Sequence, residues 1–335
     1  MNAKQRVMAR IGGQMSDRIP NLNILMLFAA KEIGVPFSEY VTDYKKLVWG
    51  NIACAQKYEI DCVTTMSDSM REPHDMGMKV EYPCDDVPFE KEPLILDPGD
   101  LLKIKPVKPG DGRRMTDSLR AIELYKKELG DEYPIIGWVE GCFAEAADIR
   151  GVSRFLMDLC DDEQGFVRDL LDLCLEQESM FALAQIEAGA DIIGVGDAIA
   201  SVAGPNLYRD MALEYEIKLL KTIREAGAKT KLHICGNIKP FLADIPASLC
   251  DIIDLDWMVP LDEATRLHGG ISCLSGNYDP VSVILQGTPE IVDHAVRAAA
   301  QSGNHKYISS AGCEIPKDTM EEKLLQVSNT LTLLS

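Results

Sequence analysis

The 335-residue chain is 46% hydrophobic and 26% charged, an ordinary globular balance, with a formal net charge of −19. With a pI near 4.7, it argues against nonspecific nucleic-acid binding, which needs cations to neutralise phosphates, and more weakly against heavily anionic substrates. No window approaches the roughly 18 to 20 apolar residues of a membrane span.

The N-terminus, "MNAKQRVMARIGGQMSDRIP", has no apolar signal core. The ten cysteines are scattered and form no dense disulfide framework. Free thiols in a chain of this kind predict a cytoplasmic protein, with some cysteines available for metal or catalysis.

In chain order, short β-branched runs alternate with longer helical stretches. Strands are predicted at "IPNLNIL" (19–25), "DCVTTM" (61–66), "YPIIGWVEG" (133–141), "DIIGVGD" (191–197), "KLHICG" (231–236), "IIDLDW" (252–257), "ISCLSGN" (271–277) and "HKYISSAG" (305–312). Helices are predicted over 166–190, 208–228 and 289–303. Apolar strands alternating with helices mean a parallel sheet, and eight of them predict a closed (β/α)8 TIM barrel in an α/β fold. An open doubly wound sheet is the alternative. Residues 1–335 read as one domain. Residues 1–60 and 72–115 are less regular, an N-terminal cap and an excursion. "EYPCDDVPFEKEPLILDPGD" within them reads as a lid over the barrel mouth.

Barrel enzymes build their sites at the C-terminal ends of the strands. Glu140, Asp197, His233, Cys235, Asp256, Asn277 and Cys313 all fall there. In "HICGN", His233 and Cys235 are two residues apart on a strand, so both point the same way. Zinc takes cysteine sulfur and histidine nitrogen, and a catalytic zinc has three protein ligands and one exchangeable position. Cys313, after a strand and a glycine, is the best third ligand. Cys273 should lie deeper in the barrel and Cys250 at the opposite face. The remaining cysteines read as small packing residues.

"HICGN" (233–237), "LSGNYDP" (274–280), "SSAGCEIP" (309–316) and "GDAIASVAGPNLYRD" (196–210) together resemble the uroporphyrinogen decarboxylase superfamily. Within it they are similar to the zinc-dependent, corrinoid-linked methyltransferases. In true decarboxylases the segment aligned with "SSAGCEIP" resembles a Gly-His-Gly turn, where this chain has Cys313. The decarboxylases also open with a segment resembling R-Q-A-G-R that holds substrate carboxylates. The matching region here offers only Arg18.

The resemblance implies a zinc methyltransferase that moves a methyl group between a small molecule and the cobalt of a corrinoid such as methylcobalamin, carried on a corrinoid protein. A thiol, a folate, a phenyl methyl ether and a methylamine-derived route all remain open as donor or acceptor. A decarboxylase-like lyase and a non-catalytic zinc- or corrinoid-binding module are the alternatives. A homodimer is one assembly left open. By position, Asp256 would take the fourth zinc position or serve as a helix cap. Glu140 would be a ligand, a general acid or a hydrogen-bond partner. Asp197 would orient a zinc ligand, as carboxylates do for metal-bound histidines. Asn237 and Asn277 would face the corrinoid or be turn residues.

Overall fold

The computed structural model describes residues 1–161 and 164–334. Seven parallel strands run side by side: β1 (Val63–Thr64), β4 (Ile135–Glu140), β5 (Ile192–Gly196), β6 (Lys229–Ile234), β7 (Ile252–Leu255), β8 (Cys273–Tyr278) and β9 (Ile308–Ala311). A separate antiparallel hairpin, β2 (Val80–Glu81) with β3 (Phe89–Glu90), lies in the excursion. Helices alternate with the strands, including Arg113–Leu129, Gln164–Ala188, Leu213–Glu225, Pro289–Ser302 and Glu321–Leu333.

The predicted first strand is nearly absent. Only Asn21 bridges to Ser309 of β9, in parallel. Leu22 N–H donates to the Ser309 carbonyl, Ser309 N–H to the Pro20 carbonyl, and Asp61 N–H to the Asn21 carbonyl. These bonds join β9 to the chain entering β1 and close the (β/α)8 barrel. Side chains replace much of the missing ladder. Pro20 has no N–H to give. Asn21 N–H goes to the Asp61 carboxylate, and the Ala311 N–H goes to the Asn23 side chain.

The first helix, Ala3–Ile11, seals the end opposite the mouth and does not cap it. Arg6 pairs with Asp61 ahead of β1, Lys4 N–H bonds to the Glu132 carbonyl ahead of β4, and Arg10 reaches the His305 carbonyl ahead of β9. Arg18 is at this end too, 2.6 Å from Asp61, and is not available to the mouth. The predicted 208–228 helix begins as a π-helical turn, Tyr208–Ala212. Among the described residues, no helix is long and apolar enough to cross a membrane.

Candidate metal centre

The parallel register aligns a row of side chains across the barrel. Glu140 pairs with Gly196, Gly196 with His233, and His233 with Asp254. Residues at equal height on parallel strands face the same side, so these four point together. Trp138 lies one pleat below Glu140. Gly194 and Gly196 leave room for its ring: a Cβ on Gly194 would meet Trp138 at 2.2 Å.

His233, Cys235 and Cys313 converge, with one donor atom from each within 4.8 Å of the others. His233 Nε2 is 2.9 Å from Cys235 Sγ, and the two sulfurs are 3.8 Å apart. Thiolates bound to a tetrahedral zinc at about 2.3 Å stand about 3.8 Å apart, so the sulfur pair fits that ion. Two turns deliver these ligands. Gly236 has φ +89° and bends the chain directly after Cys235. Gly312, before Cys313, lies so close to Trp257 that a Cβ would meet its backbone nitrogen at 2.2 Å. Cys313 is held well below the ordinary thiol value, first by the hydrogen bond from Cys235 and then by His233, both acting against burial. A thiolate is the form that binds metal.

The carboxylate that orients His233 is Asp254, not Asp197. His233 Nδ1 is 3.2 Å from the Asp254 carbonyl oxygen, its hydrogen-bond partner, and equally 3.2 Å from Asp254 Oδ2, which is 2.9 Å from Lys231 Nζ. That contact leaves Nε2 free for a metal. Burial alone would raise the Asp254 carboxyl, but Lys231 and His233 outweigh it and hold it below the usual range. Asp197 instead caps the helix Cys142–Arg150, accepting from Ala144 N–H at 3.0 Å and Phe143 N–H at 3.3 Å. Only its backbone reaches β6, through a 2.9 Å bond to the His233 carbonyl.

Asp256 does not join the three-residue group. Its two oxygens accept from Gly236 N–H and Met258 N–H, each at 2.9 Å, so it shapes the turn behind Cys235. Asn237 is exposed and accepts from Lys239 N–H, a turn bond. The Asn277 amide donates to the carbonyls of Asp256 and Val259, tying β8 to the loop after β7. Asn237 Oδ1 and Asn277 Nδ2 are thus both engaged with the backbone.

Glu140 does face open space. It lines a cavity of about 250 Å³ together with His233, Cys235 and Trp138. Burial pushes its carboxyl up to about 8, with Arg71, 3.6 Å away, opposing. Val87 and Pro88, from the hairpin loop, form part of the same wall. Sequence reasoning missed Asp254, Lys231, Arg71 and Asp68. The first two had a signal: "KLH" and "IIDLD" put charges at period two inside apolar strands, where an unpaired charge is costly.

A (β/α)8 barrel with a His/Cys/Cys group at its C-terminal mouth is the class that the fold and the site define. The uroporphyrinogen decarboxylase (URO-D) family model matches residues 2–332, and the chain belongs to that family. Among curated relatives it is 35% identical over 228 residues to the methylcobamide:CoM methyltransferase MtbA of Methanosarcina mazei, covering 67% of this chain and 65% of that one. It is 25% identical over 340 residues to the methylcobamide:CoM methyltransferase MtaA of Methanosarcina barkeri, covering 96% and 95%. It is 28% identical over 253 residues to the uroporphyrinogen decarboxylase of Chlorobaculum tepidum, covering 73% and 71%. A solved methyltransferase from Methanosarcina mazei superposes with a TM-score of 0.89 at 22% identity over 98% of both chains, which establishes a common fold.

Proposed function

We propose that the protein is a zinc-dependent methyltransferase that moves a methyl group between a small molecule and the cobalt of a corrinoid. His233, Cys235 and Cys313 would hold the zinc, and the observation that carries the reading is their convergence beside a cavity at the barrel mouth. Bound zinc would supply Lewis acidity, keeping a thiol substrate deprotonated or polarising the leaving heteroatom of a methyl donor. The chain's own residues do the rest. Asp254 fixes the tautomer and tilt of His233. Trp138 and the hairpin loop exclude water from one side of the substrate. Glu140, in its neutral form at pH 7, can donate a hydrogen bond to a heteroatom beside the metal.

The names of the MtbA and MtaA relatives support the corrinoid half of this reading. The mouth supports a large apolar partner as well. Val202, Trp257, Met258 and Val281 are exposed: Val202 on the helix Ala198–Leu207 that follows β5, Trp257 and Met258 on the turn after β7, and Val281 on the π-helical turn Pro280–Leu285 after β8. Such a rim suits the face of a corrinoid presented by a carrier protein. The lyase alternative is disfavoured by the cavity wall, on which no arginine or lysine appears among the described residues.

The test is elemental analysis of purified protein followed by methyl transfer with free methylcobalamin. One zinc per chain and turnover of the cobalt–methyl bond are expected. A metal-free protein that forms coproporphyrinogen from uroporphyrinogen would reverse the assignment.

A further inference from the structure

The wall of the cavity limits what charge its occupant can carry. Met26, Met66 and Trp138 give it an apolar body, and Asp68 and Glu140 are its carboxylates. Among the described residues, every cation close behind it already has a carboxylate beside it. Arg114 grips Asp68 through two nitrogens, at 2.6 and 3.4 Å. Arg71, fully buried, sits 3.3 Å from Glu72 and 3.6 Å from Glu140. Lys231 is locked to Asp254 at 2.9 Å. His233 uses one ring nitrogen on Asp254 and turns the other toward Cys235.

An anionic group entering this space would lose its hydration and find carboxylates but no arginine or lysine among the described residues that line the wall. That desolvation is compensated only by a partner charge or by well-placed donors. An uncharged body would lose little on entering and would gain contact with the indole and the thioethers. A cationic group would meet carboxylates that are either ion-paired or, for Glu140, uncharged near pH 7.

We propose that the small molecule taken by this site is uncharged, a neutral thiol or ether with an apolar body, and that anionic analogues are selected against. This rests on the reading of the His233–Cys235–Cys313 group as a metal centre open to substrate. It separates this chain from any relative whose small-molecule partner is an anion.

Three thiols with the same two-carbon spacer make the test: 2-mercaptoethanol, cysteamine and 2-mercaptoethanesulfonate. Each is titrated into cobalt(II)-substituted protein, and the sulfur-to-cobalt charge-transfer absorption reads binding without turnover. The neutral thiol is expected to bind at least about tenfold more tightly than the sulfonate, a small penalty for an unpaired charge. Val87→Lys, which adds a cation at the exposed edge of the cavity, should narrow that gap by improving sulfonate binding. Equal or tighter binding of the sulfonate by the unmodified protein would overturn the proposal, as would tightest binding of cysteamine. Stoichiometric cobalt uptake with the wrong thiol order rejects only the charge rule. Failure to take up metal, or absence of the band with all three thiols, removes the metal-centre reading and this inference with it.

Discussion

At the scale of single residues, the metal-centre assignment stands or falls on four side chains. Cys313→Ala should strip most of the zinc, because two ligands hold the ion far less well than three. Cys160→Ala, at an exposed position away from the site, should retain it. Asp254→Asn should keep the barrel folded but weaken zinc binding by roughly 10- to 100-fold, the usual cost of losing the carboxylate behind a metal-bound histidine. Competition with a chromophoric chelator measures all three, and unchanged affinity in Asp254→Asn would remove its orienting role. The three ligand types could be read from the sequence because H-x-C on a strand fixes a common direction. Asp254 could not. "IIDLDW" offers two aspartates on one strand face, Asp254 and Asp256. The choice between them depends on the register that sets His233 level with Asp254. No spacing within one strand encodes that register. By position Asp256, one residue beyond the strand end, reads as the fourth zinc ligand and Asp197 as the orienting carboxylate; the Asp256 oxygens accept from Gly236 and Met258 instead.

At the scale of elements, the floor of the cavity is made by packing an indole onto a bare strand. Trp138 of β4 lies over Gly194 and Gly196 of β5, and its Nε1 donates to Glu140 at 3.2 Å. A methyl group on Gly194 would overlap the ring, so Gly194→Ala should push the indole into the cavity and break that bond. The expected result is retained zinc with a substrate KM raised several-fold and a blue- or red-shifted tryptophan emission. Loss of zinc together with substrate binding would mean that the strand pair itself had failed. Most strands were legible because parallel barrel strands are apolar runs bounded by turn residues. The 19–25 segment has the same composition and still fails as a strand. Pro20 lacks a donor, while Asn21 and Asn23 supply side-chain bonds in place of backbone ones. Composition does not distinguish a ladder made by backbone from one completed by side chains. The lid expectation has a counterpart in Val87 and Pro88 on the cavity wall. Of the 1–60 segment, the helix Ala3–Ile11 lies at the other end of the barrel, whereas Met26 reaches the cavity wall.

At the scale of the whole molecule, the buried acids give stability a defined pH dependence. Glu140 and Asp148 are pushed up to about 8 and Asp197 to about 7, in each case chiefly by burial. Glu72, Glu145, Glu178 and Glu216 are raised as well, again by burial first. Arg71 is the cation that opposes this for Glu72, Glu140, Glu145 and Glu178, and one charge cannot ionise four neighbours. Asp148 lies among the same carboxylates. In the folded protein Glu140 and Asp148 keep their protons up to about pH 8 and Asp197 up to about pH 7, and burial shifts Glu145, Glu178 and Glu216 in the same direction, whereas in the unfolded chain such groups lose them above about pH 4 to 4.5. The unfolded state therefore binds fewer protons across that interval, and stability must fall as pH rises. The contribution is complete below the unfolded values and is lost progressively up to the folded ones, near pH 7 to 8. Asp68, Asp75 and Asp254 work in the opposite sense. Their folded values are depressed despite burial, so their stabilisation is present above about pH 4 and is lost on further acidification. The two sets place maximum stability on the acid side of neutrality, about pH 4 to 6. Thermal melting should accordingly show a midpoint several degrees lower at about pH 8.5 than at about pH 6. Glu178→Gln mimics the neutral acid, so it should flatten that slope mainly by raising the midpoint at the alkaline end. A midpoint that stays level or rises with pH over this range, or a Glu178→Gln slope as steep as that of the unmodified protein, would mean that these carboxyls are ionised in the fold and find partners other than Arg71.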